Sequence, residues 1–154
     1  MRSKQGDLLK AECSMKLKLR TFIILKKFQN LPPHIAKSLS FIERRTISKL
    51  RLGIFPVRLK TARYFGPIVP EDQRFCYCMS GEIESEAHVL FSCKVYADLR
   101  DALLENLCIT SNFNDLPLKE KLDIVLNVPE NVKPTGKCLV NAMDLRSLQE
   151  KAYK

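Results

Sequence analysis

The chain has 154 residues, 45% of them hydrophobic and 28% charged, so it can form one globular domain and is too apolar to be disordered throughout. No stretch reaches the roughly 20 apolar residues that span a bilayer, and the N-terminus lacks the apolar core of a signal peptide. We therefore expect an intracellular protein, nuclear or cytoplasmic, that is neither secreted nor inserted in a membrane. In that reducing setting its six cysteines are expected to be thiols or metal ligands rather than disulfides.

The net charge of +9 is distributed unevenly along the chain. Residues 1–75 hold 17 Lys and Arg against 5 Asp and Glu, whereas residues 76–154 hold 9 against 12. A basic front half favours a polyanionic partner, RNA or DNA, because neutralising phosphates releases their counterions. Charge alone leaves a second interpretation equally open, in which these side chains solvate helix faces or balance another subunit.

The N-terminal part is predicted to hold a disordered segment and one helix. Residues 1–13 carry little hydrophobic pattern. Between residues 14 and 30 a helical face overlaps with a strand-like alternation, and we favour a helix that ends before Pro32 and Pro33. His34 follows these prolines, so we expect it in a loop or in contact with solvent.

The next helix has sequence signals at both of its ends. Ser40 and Glu43 have the spacing of a capping box, and Gly53 suits the left-handed conformation that ends a helix. We therefore predict a helix over 41–52. Its expected core positions are Ile42, Ile47 and Leu50.

A short helix over 57–64 is predicted after Pro56. If the partner is RNA or DNA, basic side chains of these two helices and one beside the cysteine region are expected to contact phosphates. They are Arg44, Arg45, Lys49, Arg51, Arg58, Lys60, Arg63 and Arg74. Tyr64 and Phe65 are candidates for stacking on unpaired bases, although core or interface contacts are the commoner role of such aromatic residues.

Four residues form a compact Cys-x-Cys…His-x4-Cys pattern: Cys76, Cys78, His88 and Cys93. Thiolates and imidazole are the usual ligands of structural zinc, which takes four of them in a tetrahedron. The alternative is a set of small buried hydrophobic residues, since free cysteine is commonly buried. Residues five apart differ by about 140° on a regular helix. His88 and Cys93 can therefore converge only if the helix ends or distorts near residues 91–92.

The rest of the chain has helical spacing. A helix is predicted after Cys93, a second over 117–128 with Asp115 as a candidate cap, and a third over 134–152. Their expected core contacts include Ile124, Val125, Leu139, Met143 and Leu148. The predicted fold is mainly α, a small helical domain with a central zinc-knuckle-like turn or short hairpin. Residues 14–112 would hold the basic helices and the knuckle, and the helices of 113–154 would pack on the same domain.

No residue pattern points to catalysis. Neither histidine forms a convincing pair with a nucleophile, and no phosphate-binding glycine loop occurs. Glu82, Glu84 and Glu86 fit a helix start and a protein surface better than acid–base chemistry. We therefore expect no enzymatic activity and no small-molecule substrate.

The segment RFCYCMSGEIESEAHVLFSCKVYADLR resembles the zinc-binding region near the C-terminus of reverse-transcriptase polyproteins of non-LTR, LINE-like retrotransposons. The matching positions are Arg74, Cys76, Cys78, Glu84, Glu86, His88, Cys93, Tyr96 and Arg100. RRTISKLRLGIFPVRLKTARY, LKLRTFIILKKF and LPLKEKLDIVL are also similar, so the resemblance covers about residues 16–152. The family usually has two residues between the first two cysteines, where this chain has only Tyr77.

The resemblance implies a region that binds Zn²⁺ and holds RNA or target DNA near a polymerase, with the reverse-transcriptase portion of a related polyprotein as a possible partner. No aspartate pair of the polymerase type occurs here, and the endonuclease is absent too. The expected function is a non-catalytic, zinc-binding and nucleic-acid-binding accessory module. The alternative is a degenerate or orphaned protein-interaction or structural fragment that binds neither.

Overall fold

A computed structural model of the chain describes residues 32–36, 38–62, 64, 67–109 and 112–152. Within these ranges the secondary structure is mainly helical and contains no β-strand, which confirms the predicted fold class. The α-helices are α1 (Pro33–Ala36), α2 (Phe41–Arg51), α3 (Arg58–Thr61), α4 (Ala97–Glu105), α5 (Leu118–Asn127) and α6 (Val132–Ala152). The predictions for residues 1–13, for the helix over 14–30, for Arg63 and for Phe65 lie outside the described residues.

Helix α2 begins with the predicted capping box. The Ser40 hydroxyl accepts from the Glu43 N–H at 3.2 Å, and the Glu43 carboxylate accepts from the Ser40 N–H at 2.8 Å. The helix ends at Arg51, and Gly53 follows with a left-handed φ of 64°. Residues close to each end in the sequence thus account for both ends of the helix.

The core of the domain lies where α2 crosses α6. A Cβ on Gly136 of α6 would lie only 3.1 Å from the Glu43 Cβ and 3.2 Å from the Ile47 Cδ1, so glycine permits the close approach of the two helices. Ile47 and Leu50 of α2 are completely buried, together with Leu139 of α6. The buried face of α2 is thus the face that packs against α6.

Two predicted core positions are wrong. Ile42 is 60% exposed because α6 crosses over Glu43 and Ile47, which leaves Ile42 beside the contact. Leu148 is 63% exposed, near the C-terminal end of α6. In contrast, Val125 of α5 is completely buried, as predicted.

Several helix boundaries also differ from their predictions. The predicted helix over 57–64 is reduced to Arg58–Thr61, with Val57 at its N-cap. Helix α5 has Pro117 rather than Asp115 at its N-cap, and no side chain caps it. Helix α6 starts at Val132, just after the fully buried Asn131. The Asn131 amide joins three segments through the Cys108 N–H, the Cys108 carbonyl and the Ile124 carbonyl.

The predicted loop or solvent position of His34 is also wrong. Its side chain is 5% exposed on α1, which contacts α2, α5 and α6. Burial, together with the positive charges of Arg51 and Arg44, lowers the pKa of His34 to about 4. The imidazole is therefore neutral at physiological pH.

None of the helices within the described ranges is both long and apolar enough to cross a membrane. The longest of them, α6, carries charged and amide side chains along its whole length.

Candidate metal centre

Cys76 and Cys78 lie on a short hairpin. Phe75 and Ile83 form an isolated antiparallel bridge, and the Cys76 N–H donates to the Glu82 carbonyl at 2.7 Å. This pairing confirms the predicted knuckle or short hairpin at the centre of the chain. It holds Cys76 in one arm and leaves Cys78 in the turn that follows.

The turn accommodates the short Cys-x-Cys gap through an unusual backbone conformation. Met79 has a left-handed φ of 60° and donates its N–H to the Cys76 carbonyl at 3.4 Å. Gly81 follows with a φ of 77°. A left-handed conformation in a residue other than glycine is uncommon and costs roughly 1–2 kcal/mol. The turn therefore reverses within very few residues, and it directs the Cys78 thiol toward His88.

His88 and Cys93 converge through a π-helical turn, His88–Ser92. The Ser85 hydroxyl accepts from the His88 N–H at 3.1 Å, just before this turn. The Cys93 N–H then donates to the His88 carbonyl at 2.7 Å, a hydrogen bond that spans five residues instead of four. This is the distortion that the spacing of His88 and Cys93 required.

The ligand atoms of Cys76, Cys78, His88 and Cys93 all lie within 4.8 Å of one another. The sulfurs of Cys76 and Cys93 are 3.7 Å apart, and the Cys78 sulfur is 3.4 Å from His88 Nε2. Zinc bonds of about 2.3 Å to sulfur and 2.0–2.1 Å to nitrogen imply tetrahedral edges of roughly 3.8 and 3.6 Å. Two of the edges thus have the length of a zinc tetrahedron. All four side chains are buried.

The three thiols differ in their tendency to ionise. Burial opposes ionisation of Cys78, but hydrogen bonds with the Ser80 hydroxyl and N–H, and with His88, lower its pKa to about 6. Burial raises the pKa of Cys76 and of Cys93 above the ordinary value. Three thiolates this close together would repel one another strongly in a buried site, and a divalent cation removes that repulsion. The donor set therefore fits a bound metal ion.

His88 has a carboxylate at its second ring nitrogen. Glu82 Oε2 lies 2.5 Å from His88 Nδ1, within ion-pair distance, although the two groups are not aligned as a hydrogen bond. Carboxylates that face the non-ligating nitrogen of a histidine are typical of zinc sites, where they fix the orientation of the ring. The predicted surface role of Glu82 therefore omits its contact with His88.

Glu84 and Glu86 are buried, so their predicted surface role is wrong. Glu84 is completely buried, and its Oε2 accepts from the Arg58 N–H at 2.5 Å and from Arg146 Nη2 at 3.1 Å. Glu86 lies 4.0 Å from the ammonium group of Lys60. The knuckle is thereby tied to α3 and α6 by buried polar contacts.

The predicted phosphate contacts fall into two groups. Arg74 is buried and donates to the carbonyls of Val69 and Leu59, and Lys60 is buried beside Glu86. Arg51 is half-buried and donates to the Leu126 carbonyl and the Asn127 side chain. In the second group Arg44 and Arg45 are exposed, and Lys49 and Arg58 are half-buried, with the Arg58 guanidinium 4.7 Å from the centre of the Tyr77 ring. The sequence could not distinguish the two groups, because the residue type alone does not show whether a basic side chain is buried or exposed.

Comparisons of the chain with protein-family models, with curated proteins and with solved structures found no match. The residues themselves define a helical domain with a buried cluster of three cysteines and one histidine that could hold a metal ion.

Proposed function

We propose that the protein is a non-catalytic accessory module that binds one structural zinc ion and a nucleic acid. The observation that carries this proposal is the convergence of Cys76, Cys78, His88 and Cys93, whose donor atoms lie within 4.8 Å of one another. These residues come from two separate turns, each with an unusual backbone conformation.

Zinc is the metal that this donor set favours. Thiolates and imidazole suit zinc, whereas magnesium and calcium prefer carboxylate and carbonyl oxygens. Four protein ligands complete a tetrahedron and leave no position for a substrate or a reactive water, which is the arrangement of a structural site. The role of the metal would be to hold the hairpin against the π-helical turn.

The resemblance to the non-LTR retrotransposon tail region supports the same proposal. Several positions that match the family outside the ligands belong to the framework of the site. Arg74 and Glu84 are buried, and the Glu84 N–H donates to the Arg74 carbonyl at 3.0 Å. Tyr96 is 2% exposed, and Arg100 donates to the Cys93 carbonyl at 3.1 Å. Such agreement is expected if the chain derives from that family.

Charge supports the nucleic-acid part of the proposal. Arg44 and Arg45 of α2 are exposed, and Lys49 and Arg58 are half-buried. Groups of this kind bind phosphates without reading base sequence, so the expected binding weakens as salt rises.

A protein-interaction role is the second candidate, and exposed apolar side chains favour it. Ile68 is 81% exposed and Met79 is 78% exposed, the latter in the turn of the knuckle. A partner such as the reverse-transcriptase portion of a related polyprotein would bury them.

Metal analysis of the purified full chain after zinc-replete expression tests the metal. We expect about one zinc per chain, and loss of zinc in His88→Ala. The matched control is Cys108→Ser, which changes an exposed cysteine outside the cluster and should leave the zinc content unchanged. A chain that carries no zinc refutes the metal part of the proposal.

Titration with single-stranded RNA at several salt concentrations tests the nucleic acid. We expect binding at low salt and a steep loss of affinity as salt rises. Absence of binding at low salt, with zinc present, refutes the nucleic-acid part and leaves the protein-interaction candidate.

A further inference from the structure

Helix α6 presents a row of polar side chains to solvent. Lys133, Lys137 and Asn141 are all exposed and follow one another at four-residue intervals, so they lie along one side of the helix. Both lysines belong to residues 76–154, which are acidic on balance. The fold nevertheless places Lys137 beside the start of helix α2, in the basic front half, with Lys133 one turn away on α6.

Two grooves flank this row. One of about 340 Å³ lies between α4 and α6 and includes Lys133 in its lining. The other, of about 260 Å³, lies between the start of α2 and α6, and Ile42 and Val140 contribute to it. Lys137 and Asn141 line both grooves. The grooves therefore adjoin along α6, and together they form one surface that we call the α6 groove.

The charges of the α6 groove favour an anion. Among the described residues that line it, Glu43 supplies the one carboxylate, and that group already accepts from the Ser40 N–H. The acidic residues of α4 are Asp98, Asp101 and Glu105, and none of them lines the groove. The α6 groove thus has two ammonium groups and one carboxylate that is engaged in the capping box.

Phe41 stands between Ser40 and Ile42 in the chain, two residues that line the α6 groove, and it carries an exposed aromatic ring. Phe41 precedes Ile42 at the start of α2 and is 76% exposed. Arg44 and Arg45 follow three and four residues later, so they share a side of α2 with Phe41, and both are exposed. An aromatic ring among cations is the arrangement on which an unpaired base stacks while its phosphates contact the charges. Paired bases keep their faces covered, so this arrangement favours a single strand over a duplex.

We propose that the α6 groove and Phe41 bind single-stranded nucleic acid, with phosphates at Lys133 and Lys137 and an unpaired base on Phe41. The inference rests on the proposed nucleic-acid function and assigns that function to a particular surface. It does not depend on the metal, because none of these residues is a candidate ligand.

The test measures the affinity of the full chain for a labelled single-stranded RNA, and for a duplex of the same sequence, over a range of salt concentrations. The variants are Lys133→Ala/Lys137→Ala and Phe41→Ala, all at exposed positions. Their matched controls are Lys119→Ala/Lys151→Ala and Leu148→Ala, which remove exposed side chains elsewhere. Zinc content and helical circular dichroism show whether each variant keeps its fold.

We expect the double lysine variant to bind more weakly and to lower the steepness of the salt dependence, by about 0.7 for each phosphate that is no longer neutralised. Phe41→Ala should weaken single-strand binding roughly five-fold or more without changing the salt dependence, because stacking is not a charge effect. The control variants should bind like the wild type, and the duplex should bind more weakly than the single strand.

Wild-type affinity in both the double lysine variant and Phe41→Ala would overturn the α6 groove while leaving the nucleic-acid function standing. Equal losses in the control variants would overturn it as well, because binding would then follow total charge. Absence of binding by the wild-type chain would refute the nucleic-acid function itself.

Discussion

The knuckle and the helical core are held together in different ways. Where α2, α5 and α6 meet, Ile47, Val125 and Leu139 are completely buried, and apolar burial stabilises the contact. The hairpin and the π-helical turn instead bury polar groups, among them Glu84 and the thiols of Cys76 and Cys93. Burying such groups is unfavourable unless each finds a partner. The core is therefore expected to fold through its own hydrophobic contacts, and the knuckle is expected to need its metal and its ion pairs.

Removal of the metal is expected to have the largest effect, and it tests the difference between the knuckle and the helical core. Structural zinc sites contribute about 10–16 kcal/mol of binding free energy in zinc-finger peptides, and that energy stabilises the folded site. We expect a chelator to abolish hydrogen-exchange protection at the amides of Cys76, Glu84 and Cys93. The amides of α2 and α6 should keep most of their protection. Equal loss in both regions would contradict the distinction, and unchanged protection throughout would argue against a metal-dependent knuckle.

The next largest effect on stability is expected for the Glu84–Arg146 ion pair. This ion pair joins the knuckle to the helical core. Arg146 is 5% exposed, and its Nη2 lies 3.1 Å from the completely buried Glu84 carboxylate. Arg146→Ala leaves that carboxylate without its cation, so we expect a loss of about 3–5 kcal/mol in the free energy of unfolding.

Denaturant unfolding of Arg146→Ala and of the paired variant Glu84→Leu/Arg146→Met measures this contribution. Replacement of a whole buried ion pair by apolar side chains is often close to neutral. The paired variant should therefore be the more stable of the two. If both lose the same stability, the ion pair is not what connects the knuckle to α6.

His34 makes the helical core sensitive to acid. Burial, with Arg51 and Arg44 nearby, lowers its pKa from 6.5 to about 4 in the folded chain. The unfolded state then binds more protons than the folded state between these two values, so stability is complete above pH 6.5 and falls as the pH approaches 4. The expected loss is up to about 3 kcal/mol.

Unfolding of His34→Leu over the same pH range isolates this effect. Acid can also change the stability through other groups of the chain, so wild type and variant must be compared at each pH. We expect the variant to have the shallower decline in stability between pH 6.5 and 4. Parallel curves for the two proteins would show that His34 titrates normally.

Glu82 is expected to affect the metal and leave the core unchanged. Its carboxylate lies 2.5 Å from His88 Nδ1, on the side of the ring away from Cys78. Removal of such a carboxylate typically weakens metal affinity 10–100-fold. Competition with a chromophoric chelator should show this loss in Glu82→Gln. Glu71→Gln, another exposed acid near the knuckle, is the control. Equal zinc affinity in Glu82→Gln and wild type would mean that Glu82 has only a surface role and does not support the metal.

Local signals allowed prediction of the fold, and long-range contacts limited it. The capping box of Ser40 and Glu43 and the stop at Gly53 depend on neighbouring residues, so the ends of α2 could be predicted closely. The exposure of Ile42 depends on where α6 crosses α2, which no local pattern encodes. The same reason accounts for His34, whose burial comes from contacts of α1 with three other helices.

The four candidate ligands could be predicted because their chemistry is specific, whereas the contacts of the residues around them could not. Two cysteines in a turn followed by a His-x4-Cys pair are typical of metal sites, and their spacing even required the distortion that the π-helical turn supplies. Glu84 and Arg146 lie 62 residues apart and resemble ordinary surface charges in the sequence. Their pairing becomes visible only when α6 is folded against the knuckle.

The smallest expected effect concerns the capping box of α2, which is part of the helical region and not of the knuckle. Ser40→Ala removes the hydroxyl that accepts from the Glu43 N–H, at a typical loss of about 1 kcal/mol. Thermal unfolding should show this loss, whereas Ser40→Asp, which keeps an N-cap acceptor, should be close to wild type. Zinc affinity should be the same in all three proteins, because α2 contributes no ligand. A fall in zinc affinity with Ser40→Ala would mean that the core and the knuckle fold as one cooperative unit.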